Sequence, residues 1–166
     1  MSTVPEPRRH FIGSLSRLVW QWVRQQIETQ VVAAGFDDLN PAHIGVFRNP
    51  GIDGRRPGEV ADAMQITKQS VNELLGHLER RGYLTREVDP TDSRSRRIRL
   101  TERGSALSAV IIRAAEEAER AAGDLVGEAR MAEVVGTLTE LVEQLGLAST
   151  FGSPKSGVDP VDGARR

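Results

Sequence analysis

The chain has no cysteine. That absence removes disulfides, thiolate metal sites, cysteine nucleophiles and thiol-based redox sensing together. Long apolar runs are missing too; none approaches the roughly 18 residues that a membrane-spanning helix needs. Residues 1–10 hold Pro, Glu and Arg but no apolar signal-peptide core, so a cytoplasmic protein is expected. There is no Gly-rich phosphate loop, no Ser-His-Asp set that can be placed, and no carboxylate pair beside an evident cleft. An enzyme is therefore the least favoured class, with no catalytic residue and no cofactor expected. His10, His43 and His77 are far apart along the chain, and none has a second ligand at helical spacing, so no metal site is expected either.

What is present suits one soluble domain. A length of 166 residues, 39% hydrophobic and 27% charged, gives room for a proper core. The net charge of −1 hides a division. Between Glu79 and Arg103 eight arginines face five acids, a net +3, whereas between Gly104 and Leu147 three arginines face eight acids, a net −5. A basic region in a near-neutral chain is the electrostatic footprint of a nucleic-acid binder. Two solvated faces of opposite sign are the plainer alternative.

The apolar pattern gives the elements. From Phe11 to Ala34 a long helix carries two stripes, Ile12, Leu15, Val19 and Trp22 on one side and Trp20, Val23, Ile27 and Val31 on the other. Gly35 suits its end. One stripe covers one core; two stripes predict a helix held between its own domain and something else. Asn40-Pro41 starts a second helix, with Ile44, Val46 and Phe47, that stops before Pro50. A polar loop, Gly51 to Arg56, leads to a short helix opened by Pro57, with Val60, Ala61 and Met64 inside. Gln65-Ile66 turns the chain. Thr67 then caps a helix to about Arg81, buried through Val71, Leu74, Leu75 and Leu78. Tyr83 to Val88 and Arg96 to Leu100 read as strands joined by seven polar residues, Asp89 to Ser95. Thr101 caps a helix striped by Leu107, Val110, Ile111, Ala114, Ala118, Ala121 and Leu125. After Gly127 a last helix carries Met131, Val134, Val135, Leu138, Leu141, Val142 and Leu145. Residues 1–10 read as a flexible arm. The Ser/Gly/Pro/Asp/Arg composition of 148–166 reads as a disordered tail.

Helix, turn, helix and basic hairpin outline a mainly α winged helix-turn-helix. In such a unit the second helix enters the major groove and reads base edges with its N-terminal residues. With Val71, Leu74, Leu75 and Leu78 inside, the first turns present Lys68, Gln69 and Asn72, joined by Thr67 and Ser70. Glu73 lies one position further. Gln and Asn pair bidentately with adenine, Lys reaches guanine or phosphate, and Glu accepts from cytosine. Arg94, Arg96, Arg97 and Arg99, near the hairpin tip and on its return strand, point to the phosphate backbone and minor groove of DNA, and an arginine held at the tip suits the groove where the negative potential is deepest. Asp92, two residues before Arg94, is placed to hold that guanidinium extended. Protection of an edge strand alone would need fewer arginines.

The stretches Arg56-Pro-Gly-Glu-Val-Ala-Asp-Ala-Met, Ile66-Thr-Lys-Gln-Ser-Val, Leu78-Glu-Arg-Arg-Gly-Tyr-Leu, Asp89-Pro-Thr-Asp-Ser-Arg and Ile98-Arg-Leu-Thr together resemble the MarR family of bacterial transcription regulators. The resemblance covers 11–146 in element order and 56–104 in motif detail. Relatives often carry two adjacent arginines at the wing tip; here the first position is Ser93 and the second Arg94. The resemblance implies a sequence-specific regulator of double-stranded DNA, most often a repressor, within residues 11–147. It implies a DNA-binding lobe over about 38–101 and a homodimer built from helices over about 11–34 and 102–146. Its recognition helices would stand about 34–36 Å apart on a palindromic operator. It also implies a small aromatic or phenolic effector between the two regions, for which Arg17, Trp20, His43 and Phe47 are the candidate contacts. A winged-helix module for protein association, with no DNA target, is the alternative.

Overall fold

Asn40 and Pro41 begin a helix in the expected way. The Asn40 side chain accepts from the His43 N–H at 3.0 Å, and Pro41 sits where its missing N–H costs nothing. The same chemistry recurs along the chain. Thr67 Oγ1 accepts from the Ser70 N–H at 3.1 Å, and Thr101 Oγ1 from the Gly104 N–H at 3.1 Å. In a computed structural model that describes residues 10–48 and 52–147, these caps open three of six helices: α1 (Ile12–Ala33), α2 (Pro41–Phe47), α3 (Pro57–Met64), α4 (Lys68–Arg80), α5 (Glu102–Val126) and α6 (Glu128–Gln144). Between α4 and α5 lies an antiparallel hairpin, β1 (Leu84–Asp89) and β2 (Asp92–Leu100). The winged helix-turn-helix is therefore the observed fold. The second helix ends at Phe47, before Pro50 as expected; residues 1–9 of the expected arm and the expected tail lie outside the described residues.

The core joins α2, α3, α4, the hairpin base and the middle of α5. Ile44, Val60, Val71, Leu75, Leu78, Tyr83, Leu84, Ile98 and Leu107 are all fully buried in it. Tyr83 is the hinge of this packing. Its OH donates to Asp38 Oδ1 at 2.5 Å, Arg103 lies 4.3 Å over its ring, and burial and then Asp38 push its pKa up to about 12. Arg81 donates to the Asp38 carbonyl, tying the end of α4 to the loop before α2.

The two-stripe expectation for α1 resolves into two halves. Ile27 and Val31 are buried against the core, while Ile12, Leu15, Val19 and Trp20 are exposed. Among the described residues of α6 none is buried, and Val134, Leu138, Leu141 and Leu145 stand exposed. An apolar groove of about 780 Å³ runs between the start of α1 and α6, lined by Leu15, Val19, Val134 and Leu138 among others. No helix among the described residues is long and apolar enough to cross a membrane.

The hairpin departs from its sequence reading. Asp89 to Ser95 is not a seven-residue loop; the strands run nearly to Pro90-Thr91. Side-chain bonding tightens the tip. Asp89 Oδ1 accepts from the Thr91 N–H at 2.9 Å and Asp92 Oδ1 from the Arg94 N–H at 3.1 Å, each the two-residue reach of an Asx turn. Val88 pairs with Arg96 and Asp89 with Asp92, so Ser93, Arg94 and Ser95 bulge from β2 with no partner on β1.

Candidate nucleic-acid interface

Gln65, at φ 53°, makes the left-handed turn that separates α3 from α4. The turn leaves the start of α4 clear: Thr67, Lys68, Gln69, Asn72 and Glu73 are exposed and Ser70 is half-buried. Thr67 Oγ1 and Ser70 Oγ lie 2.8 Å apart, which orders the first turn. Gln69 Nε2 donates to Glu73 Oε1 at 3.2 Å, while Asn72 Nδ2 donates to the Lys68 carbonyl at 2.9 Å. Both amides are thus engaged within α4, whereas Lys68 makes no ion pair with another described residue.

The arginines of the hairpin divide into two sets. Arg94 and Arg96 are exposed, and neither pairs with a described carboxylate. Arg97 and Arg99 are paired with carboxylates, Arg97 with a buried one and Arg99 with exposed ones. Arg97 Nε lies 2.9 Å from Asp89 Oδ2 and its Nη1 donates to the Gly54 carbonyl at 3.0 Å; Arg99 pairs with Asp53 and Glu87, each at 3.5 Å. Asp92 does not hold the Arg94 guanidinium. Its carboxylate is used by the Arg94 N–H and by Ser95 Oγ at 2.6 Å, because the bulge brings backbone, not guanidinium, within reach. Asp92 thus shapes the bulge and leaves the Arg94 side chain outside. Those two bonds hold its carboxyl below the ordinary range.

The residues that sequence reasoning missed are the ones that seat the wing. Asp89 is fully buried, accepts from Thr91 and from Arg56 Nε at 2.7 Å, and forms an ion pair with Arg97 at 2.9 Å. Burial opposes its charge, but the Thr91 N–H, Arg97, the Thr91 hydroxyl and Arg56 together hold it far below the usual carboxylate range. Arg86 on β1 donates to Glu79 on α4 from Nε at 3.0 Å and Nη2 at 2.6 Å, and lies 3.5 Å from Asn72 Oδ1. Arg56 and Asp89 open two of the motifs that carry the family resemblance, but nothing in the sequence assigned either of them, or Arg86, this seating role.

The expected effector contacts are not all brought together. Trp20 and Phe47 do line one cavity of about 430 Å³, with Val23, Ile27, Ile111 and Arg48. Arg17 is exposed and not on its wall, and His43 is turned away. His43 is buried in the α2 cap, accepting on Nδ1 from the Asn40 N–H at 3.3 Å, and stacks on His77 with ring centres 4.2 Å apart. The two histidines expected to be far apart are neighbours, although no group of three metal-ligand side chains occurs among the described residues. The cation at the cavity is Arg48, 4.8 Å from the Trp20 ring centre, with a buried Nη1 that has no hydrogen-bond partner. Burial lowers its pKa from the ordinary arginine value.

Residues 37–95 match the model of the MarR family. The chain is similar in structure to MarR, at 21% identity and a TM-score of 0.70 over 86% of this chain and 96% of that one. It is similar to the transcriptional repressor CouR bound to a 23-mer DNA duplex, at 24% identity and a TM-score of 0.62 over 80% and 92%. A mutant MepR of S. aureus bound to an oligodeoxyribonucleotide aligns at 22% identity and a TM-score of 0.51 over 82% and 99%. At these identities the likeness establishes the shared fold. No curated protein matches the chain.

Proposed function

With the MarR family model matched over 37–95 and a MarR-like winged helix over the described chain, we propose that this protein is a sequence-specific DNA-binding transcription regulator. The observation that carries the reading is the wing: Arg94 and Arg96 stand outside a bulge whose other cations are spent on carboxylates. Next to it, Thr67, Lys68, Gln69, Ser70, Asn72 and Glu73 form an exposed face at the start of α4. That face is polar, without the aromatics favoured where proteins associate. The division of labour is major-groove reading by α4 and minor-groove probing by Arg94, with phosphate contact by Lys68 and Arg96.

The protein acts as a homodimer and a repressor on a palindromic site. The uncovered apolar faces of α1 and α6 support the dimer, since a lone soluble chain rarely leaves so large a patch bare. The 430 Å³ cavity supports a small aromatic anion as effector, held by Trp20, Phe47 and the unpartnered Arg48 nitrogen. Arg48 replaces Arg17 in this role, and His43 leaves the set.

Gel shifts with double-stranded DNA at several salt concentrations test the function. Native protein binds and weakens steeply with salt as counterions return. Arg94→Ala binds less tightly, with a slope shallower by about 1. No shift at low salt would end the DNA reading, and an unaltered slope in Arg94→Ala would remove Arg94 from the interface.

A further inference from the structure

Arg56 stands at the N-cap of α3, and its backbone N–H donates to Glu59 Oε2 at 2.9 Å, closing that helix start. Its side chain leaves the helix and crosses to the wing. Nε and Nη2 both lie 2.7 Å from Asp89 Oδ2, and Nη2 is 3.5 Å from Thr91 Oγ1. Arg97 reaches the same Asp89 oxygen from β2, two residues beyond the bulge. One buried carboxylate therefore binds three segments: the start of α3, the hairpin turn and the strand that returns from Arg94. The backbone reinforces the joint. Gly54 N–H donates to the Ile98 carbonyl at 2.7 Å and Ile98 N–H to the Arg55 carbonyl at 2.8 Å, so the segment before Arg56 lies along β2.

We infer that Arg56 and Arg97, through Asp89, are positioning residues that fix the pose of the Arg94 bulge relative to the helix-turn-helix unit. The inference rests on the proposed DNA reading. Asp89 pairs across the hairpin with Asp92, whose carboxylate in turn shapes the bulge through the Arg94 N–H and Ser95. The path from α3 to the tip is thus Arg56, Asp89, Asp92, Arg94. The α3 end moves with α4, because Val60 and Ala61 are buried in one core with Val71 and Leu75. A bulge held this way meets the minor groove at a set distance from the recognition helix. Without Arg56 the hairpin still pairs along Leu84 to Val88, but its tip loses the anchor on α3. Arg56 would then matter to DNA without touching it.

A double-mutant cycle tests this. The probe is a duplex recovered from a random library with the native full-length chain, read by fluorescence anisotropy. Arg56→Gln weakens binding roughly tenfold in the native background and less than about twofold in an Arg94→Ala background, as expected for groups in one network. The chain carrying both Arg56→Gln and Arg94→Ala keeps the salt slope of Arg94→Ala alone, because Arg56 itself meets no phosphate. Arg56→Lys, which keeps the charge, recovers part of the loss. Thermal unfolding confirms that each variant folds; if Arg56→Gln does not, Arg97→Gln, which leaves the Arg56–Asp89 pair intact, carries the same cycle. Multiplying losses, or a shallower slope for Arg56→Gln in the Arg94→Ala chain, overturns the positioning role alone. Failure of the native chain to bind any duplex overturns the DNA reading and this inference with it.

Discussion

Gly104 sets how closely α5 approaches the lobe. A Cβ built there would lie 1.9 Å from the Tyr83 carbonyl oxygen and 3.3 Å from a Leu100 methyl. Neither can yield cheaply: the carbonyl accepts from the Thr101 N–H at 3.1 Å, and the Tyr83 ring is fully buried. Gly104→Ala therefore pushes α5 off the hairpin base, at a cost of about 1–3 kcal/mol. Urea unfolding reads this as a lower midpoint at an unchanged slope; an unmoved midpoint would contradict the packing. Single residues are also where the sequence was hardest to read. Four arginines between 94 and 99 look alike in one dimension. Only the hairpin register divides them, sending Arg97 and Arg99 to Asp89, Asp53 and Glu87 and leaving Arg94 and Arg96 outside. The role first given to Asp92 failed for the same reason, since a bulge cannot be read from spacing.

At the scale of elements, caps and stripes were legible because each depends on neighbours in the chain. Asn40-Pro41, Thr67 and Thr101 open helices where local chemistry demands it. The meeting of α2 with α4 was not legible, because it joins His43 to His77 across 34 positions. That meeting has a pH consequence. Burial, then the charges of His77 and Arg81, lower the His43 pKa below its ordinary 6.5, with Asp38 opposing. The fold thus prefers neutral His43, whose Nδ1 accepts the Asn40 N–H. Its contribution to stability is complete above that ordinary value and is lost as pH falls through it, because the unfolded chain then takes up the proton more readily. Asp38, itself lowered from 3.8, stays ionised in both states over this range. Urea midpoints are expected to be lower at about pH 5.5 than at about pH 7.5, the interval in which histidine titrates. His43→Gln should narrow that difference. A native midpoint equal at both pH values would contradict the buried neutral imidazole.

At the scale of the whole molecule, two apolar helix faces have no cover within the described chain. The start of α1 and the length of α6 border one groove, and their stripes were visible in the sequence as more apolar surface than a small lobe can bury. A two-fold pair of chains closing over these faces would present two α4 helices and two Arg94 bulges to one side of a duplex. Two such readers, related by symmetry, impose symmetry on what they read. Selection of bound duplexes from a random library tests this most directly, because one readout reports DNA binding, sequence preference and dimer geometry together. The account predicts enrichment of an inverted repeat whose half-sites lie about one helical turn apart, some 10 base pairs centre to centre. Recovery of an unrelated single half-site, or no enrichment at all, would contradict it.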